Sequence, residues 1–511
     1  MNGPVILSLI LLYFVILYLI SYGIGKKHSE NAAFFLGNRK SPWYVVALGT
    51  IGPAMSGITF VSVPGMVGKF DMTYMQMVFG FLPGYAVIAF VLLPVYYRLN
   101  LVSIYSYLNV RIGKNAYKTG VGFFLLSRMI IAAVRLYIAV VILQNYVFDA
   151  WKVPFVVTAA GFLLMIWLYT RKSGIRTIVW TDLLQSFILL TALIIIIWQV
   201  AKGLNFDFSS IAASVKTSPH SKIFVFDDWH SRQNFFKQFI SGMFVTIAMT
   251  GVDQEMMQKN LSCKNVREAR KNVCIGSLLF IPINFLFLCL GILLLNYASV
   301  HQITLPASGD DILPMLVSTG CLGLPALIFF VIGIIAITFA GADSALTGLT
   351  TSVCVDVLNI SRYDEKKARK VRISVHFLIS LLFIGIMLLF KAINNTSMID
   401  ALYTLVSYTY GPLLGLFAFG ILFKGRDVAC NVSTACNVST ACNVSTACNV
   451  PANDRPVPFL CVLSPIICLI INIFLQNRFN YQMGYELLII NALFVVFGLW
   501  VFSKRTYSRD R

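Results

Sequence analysis

The chain has 511 residues, 58% hydrophobic and only 12% charged, about half the charged fraction of a soluble domain. Runs such as LLQSFILLTALIIIIWQV are apolar on every face, which excludes a soluble enzyme, a disulfide scaffold, a disordered chain and an outer-membrane barrel of short alternating strands. A net charge of +19 invites a nucleic-acid partner, but the basic residues are spread along the chain rather than gathered into one patch.

Hydropathy predicts an all-α polytopic membrane protein of about thirteen helices. They begin near Val5, Trp43, Thr73, Ala116, Pro154, Ile178, Phe235, Val273, Leu324, Val371, Ile399, Val457 and Leu487. The first span lacks a basic start and a cleavage site, and Lys26 and Lys27 follow it, so it reads as a retained helix. Roughly 29 of the 40 basic residues fall in connections on one side, which predicts an outside amino terminus and a cytoplasmic carboxyl terminus in a cell (inner) membrane. The outer loop from Gly203 to about Asn234 carries Trp229 and several Phe, and is expected to be a partly ordered lid. Three organisational parts follow: a core over 1–424, a cytoplasmic linker over 425–456 and two closing helices with a basic tail over 457–511. The linker repeats ACNVST with Cys430, Cys436, Cys442 and Cys448 at six-residue spacing and no His, so it reads as a tether rather than a metal site.

Hydrocarbon penalises unmet backbone groups and buried charge, so the spans that violate this rule are the informative ones. The second reads TIGPAMSGITFVSVPG. Gly52, Pro53 and Gly57 loosen its helix and free carbonyls that either ligate a cation or merely mark a packing kink. The ninth carries Asp343 and Ser344 in an otherwise uncharged helix, with Thr347 and Thr351 on the same face as Ser344. A cation or proton site is the favoured reading of that stripe. The sixth carries Asp182, either a second ion ligand or a tie to Arg135 or Arg128 of the fourth. Arg135 needs a carboxylate partner or an anionic ligand. The motifs HExxH, GxSxG and GxxxxGK[ST] are missing, so no enzyme site is expected and no resident cofactor or metal.

Five segments in order carry a family likeness: AFFLGNRKSPWY, PVYYRLNLVSIYSYLNVRIG, SGIRTIVWTDLLQ, VDQEMMQKNLSCKNVREARK and YGPLLGLFAFGILFK. Together they resemble the signatures of the sodium:solute symporter family over about Phe34 to Lys424. The resemblance implies a leucine-transporter-type fold, with an extra first helix, a 5+5 inverted repeat over the second to eleventh spans, and breaks in the second and seventh. It implies Na+ as coupling ion, held at the usual site by carbonyls of Gly52, Met55 and Ile337. The two hydroxyl positions of that site are Ala340 and Gly341 here, so both side-chain ligands are lost. A further site in some relatives maps to Asp182, Asp343 and Ser344, and the coupling cation is expected there. Two carboxylates and a hydroxyl suit sodium; a proton shared between the carboxylates is the alternative.

Substrate positions implied by the resemblance are Ser56, Thr59, Tyr74 and Arg135, with the arginine holding a carboxylate in relatives that take acidic sugars. The expected activity is secondary active import of a small organic solute, carboxylate-bearing and of sialic acid or sugar type, across a lipid bilayer. A non-transporting sensor on the same scaffold is the rival, and the sequence is silent on oligomeric state.

Overall fold

The structure, a computed structural model, describes residues 3–25, 31–55, 57–171, 174–393, 398–423, 454–479, 481 and 483–509. Ser56 and the ACNVST repeats lie outside the described residues. Apolar helices occupy all thirteen expected positions, because a chain in hydrocarbon must pair its backbone groups within each segment. In order they are α1 (Gly3–Gly25), α2 in two halves (Trp43–Ala54 and Thr59–Phe70), α3 (Tyr74–Arg98), α4 (Lys114–Leu143) and α5 (Phe155–Thr170). Next come α6 (Ile175–Gly203), α7 in two halves (Phe235–Gly251 and Gln254–Leu261), α8 (Val266–Val300) and α9 (Gly323–Ser352). The last four are α10 (Glu365–Ile393), α11 (Met398–Leu422), α12 (Val457–Phe479) and α13 (Leu487–Arg509).

Polarity is reversed relative to a water-soluble protein. Leu19, Val157, Ile194, Trp198, Leu389 and Phe474 are exposed, whereas Arg128, Asp182, Asp253, Glu255, Lys259 and Asp343 are buried. An apolar exterior around a charged interior is the arrangement that lipid selects.

Two helices are broken. The halves of α2 meet at 63° and those of α7 at 69°, five spans apart, as a repeated five-helix unit requires. The long helices α6 and α9 pack along each other and brace the first break, while α3 lies against the first half of α7. That second contact depends on glycine. A Cβ on Gly80 would strike the Phe239 carbonyl and one on Gly242 the Met77 carbonyl, so the backbones touch as small-residue membrane interfaces do.

The loop between α6 and α7 is ordered by specific bonds. Asp207 caps a helix at Phe208–Thr217 by accepting from Ser210 N (2.8 Å). Beyond it, Gln76 of α3 accepts from Val225 N (3.0 Å) and donates to the Gln233 carbonyl (2.8 Å), while Phe224 stacks on Phe79.

Candidate functional site

The break in α2 follows directly from its residues. Met55 is extended (φ −88°, ψ 118°), so the helix stops after the bond from Met55 N to the Ile51 carbonyl. The carbonyls of the last turn, Gly52 among them, are those that such an end releases from the helical ladder. Two helices face the break. On α6, Ser186 Oγ accepts from Gly52 N (2.9 Å) and donates to the Gly49 carbonyl (3.3 Å). On α9, Ala340 is the residue against Gly52, its Cβ 3.4 Å from where a Cβ would stand there, and Ile337 packs beside Gly57. A Cβ at Gly341 would meet nothing within 4 Å. Two hydroxyls therefore border the break, Ser186, one turn beyond Asp182, which bonds to its backbone, and Thr338 of α9, whose Oγ1 lies 3.5 Å from where a Gly57 Cβ would stand; sequence reasoning missed both.

Asp343 is fully buried and accepts two neutral donors, Tyr169 Oη of α5 (2.7 Å) and Ser344 Oγ (3.1 Å). It also interacts electrostatically with Asp182 and Lys259. Asp182 is bonded to Lys259 Nζ at 2.6 Å, both side chains 1% exposed. Gln185, with its amide oriented to satisfy both neighbours, donates to Asp182 Oδ1 (3.2 Å) and accepts from Tyr13 Oη of α1 (3.3 Å). These contacts correct the sequence expectation that Asp182, if structural, pairs with Arg135 or Arg128. Lys259 belongs to the second half of α7, in the segment VDQEMMQKNLSCKNVREARK. Lys259 is thus bonded to Asp182, while Asp343 accepts its hydrogen bonds from neutral donors and feels the ammonium only through space.

Arg128 has its own partners. Its guanidinium is bonded to Glu255, with Nε to Oε2 at 2.5 Å, and lies 3.6 Å from Asp253 Oδ2. Asp253 caps the second half of α7 by accepting from Glu255 N (2.9 Å) and Met256 N (3.2 Å), and it also accepts from Tyr410 Oη (2.5 Å).

Beside the first break lies a cavity of about 90 Å³. Met55, Thr59, Tyr74 and Arg135 line it, so four of the residues expected for ion or solute meet there, with Arg128 and Asn284 opposite apolar Ala54, Phe81 and Phe280. Asp182, Asp343 and Ser344 are outside that lining and form the separate cluster on α6 and α9.

Comparison with known proteins agrees with this fold. The human sodium/iodide cotransporter is 24% identical over 438 residues, covering 82% of this chain and 66% of that protein. The sodium-coupled monocarboxylate transporter 1 of Xenopus laevis is 25% identical, covering 80% of this chain and 65% of its own length. This chain therefore spans a little under two thirds of those two relatives. The sodium/sialic acid symporter SiaT of Proteus mirabilis (strain HI4320) is 22% identical, with 81% of this chain and 83% of that protein covered. Among solved structures, a Na+-coupled sialic acid symporter in a substrate-bound outward-open state superposes with a TM-score of 0.78 at 18% identity, over 98% of this chain and 97% of that one. A nucleobase-cation-symport-1 family transporter in a closed conformation gives 0.54 at 11% identity, over 94% and 96%. These likenesses carry the fold, which is of the leucine-transporter type. With the family profile matching residues 34–427, the chain belongs to the sodium:solute symporter family and is a multi-pass membrane protein.

Proposed function

We propose that this protein is a sodium-coupled symporter that imports a small carboxylate-bearing solute. The observation that carries the reading is the cluster of Asp182, Asp343 and Lys259, which holds two buried carboxylates against one ammonium. Burying an unbalanced carboxylate costs several kcal/mol, roughly, unless a cation or proton joins it. Asp343 and Ser344 supply hard oxygen ligands, and carbonyls freed at Gly52 and Met55 border the same pair of helices. Sodium is favoured over a proton because the relatives above are named for sodium coupling.

Arg135 lines the cavity at the break, with Thr59 and Tyr74, and is placed to receive an anionic group. With the amino terminus outside, as the loop charges suggest, sodium enters down its gradient and contributes about 2.3 kcal/mol per 100 mV of membrane potential.

Uptake of short monocarboxylates and of sialic acid into proteoliposomes, with sodium or a pH gradient as the only driving force, tests this reading. Asp343→Asn is expected to abolish sodium-driven uptake. Full uptake and unchanged sodium dependence in that variant would remove Asp343 from the site, and uptake driven by pH alone would replace sodium with a proton.

A further inference from the structure

The second half of α7 rests on α9 along a seam that the mechanism above does not use. At its centre Gly348 lies against Glu255, where a Cβ would come 2.9 Å from the Glu255 Cβ and 3.0 Å from its Cα. Beside this contact, Gln258 Nε2 donates to Thr351 Oγ1 (2.9 Å) and to the Phe35 carbonyl (2.5 Å). Thr351 spends its own hydrogen on the Thr347 carbonyl (2.8 Å), so it must accept from Gln258, and that fixes which way the amide points.

Three oxygens along the seam then have no hydrogen-bond partner among the described residues: Glu255 Oε1, Gln258 Oε1 and Thr347 Oγ1. Their residues are 1%, 0% and 0% exposed. Glu255 and Gln258 stand one turn apart on α7 and meet Gly348 and Thr351 of α9, while Thr347 adjoins Gly348 in sequence and lies one turn before Thr351. A buried carboxylate oxygen, an amide oxygen and a hydroxyl without donors are costly unless a ligand satisfies them. Arg128 is shared by Asp253 and Glu255, two carboxylates to one guanidinium, and Lys259, bonded to Asp182, also acts electrostatically on Glu255.

We propose that the seam is a second Na+ site, built from Glu255, Gln258 and Thr347 and distinct from the site at Asp343. Hard, partly anionic oxygen donors select an alkali or alkaline-earth cation over a soft metal. With the site at Asp343, the transporter then loads two sodium ions. The proposal rests on the functional reading only in taking sodium as the ion.

Equilibrium binding of radioactive sodium to the purified full chain, without solute, tests it. The wild type is expected to bind two sodium ions. Thr347→Val keeps the shape and removes one ligand, so the seam site should weaken about tenfold or more, while Thr347→Ser should retain it. Asp343→Asn should lose the other ion and keep this one, and the double variant should bind none. One sodium in the wild type, lost in Asp343→Asn and indifferent to Thr347→Val, would overturn the seam site and leave the functional reading standing. No sodium bound to the wild type would overturn both. The wild-type count needs no variant to fold, and a pH-dependent seam that ignores sodium would assign Glu255 a proton instead and sink the proposal.

Discussion

The two broken helices occupy equivalent places in the fold and are held in different ways. At the first, between Met55 and Thr59, Ser186 is the side chain bonded to the backbone, and the facing residues of α9 are Ala340, Thr338 and Ile337. At the second, Tyr96 and Tyr105 donate to the carbonyls of Gly251 (2.9 Å) and Val252 (3.0 Å), and Gln254 accepts from Ile104 N (2.8 Å). Asp253, Arg128 and Tyr410 complete that clasp. Among the described residues the backbone of the first break is thus bonded by one side chain, whereas that of the second is clasped by several. On the functional reading proposed above, the backbone of the first break binds and that of the second holds.

Arg128→Met is the hardest test of that contrast. It leaves Asp253 and Glu255 buried without their guanidinium, and breaking a buried pair in this way costs about 3–5 kcal/mol. The purified variant should melt far below the wild type or fail to accumulate. A normal melting temperature would mean that charge does not hold the second break.

Lys259→Met should act through the ion. It strips the ammonium from the Asp182 and Asp343 pair, which then lacks two positive charges, so the fold should become dependent on bound cation. Melting in sodium against choline measures this directly, because a ligand at 100 times its Kd adds about 2.7 kcal/mol. Equal melting of the variant in both salts would reduce Lys259 to a structural tie.

How much of this was legible before the structure depends on what hydrocarbon forces into the sequence. Eight helices and the two broken pairs could be placed because a spanning segment has to be long and apolar, and the shorter ones at Phe155–Thr170, Val406–Leu422 and Leu487–Phe502 by their apolar composition. The first break was visible in Gly52, Pro53 and Gly57, and Asp343 stood out as a lone carboxylate in an uncharged helix. The second break was implied by family likeness alone, since its Asp253 cap sits in a polar stretch that looks like the start of a loop. Lys259 was hidden for a related reason. Loop charge predicts which side a segment faces but not whether a given lysine is buried, and its partner Asp182 lies 77 residues away in sequence. Ser186 was readable in principle, four residues after Asp182 on the same helical face, but a serine in a membrane helix is too common to single out.

The smallest expected effects separate the two breaks most cleanly, because each removes one hydroxyl. Tyr410→Phe deletes the bond to Asp253, an interaction with a charged group worth about 1.5–3 kcal/mol, and should lower the melting temperature. The sodium affinity of the Asp343 site should not change in that variant. Ser186→Ala deletes a neutral bond to Gly52 N, worth about 1 kcal/mol, so stability should fall little. Its consequence belongs to binding instead. Without Ser186 the backbone of the first break loses the group that fixes Gly52, and ligands of that turn are no longer preorganised for the ion. Half-saturating sodium should rise a few-fold, about what a loss near 1 kcal/mol produces. If Ser186→Ala instead destabilises the protein as much as Tyr410→Phe and leaves sodium binding intact, the first break is an anchor too, and the division of labour between the repeats fails.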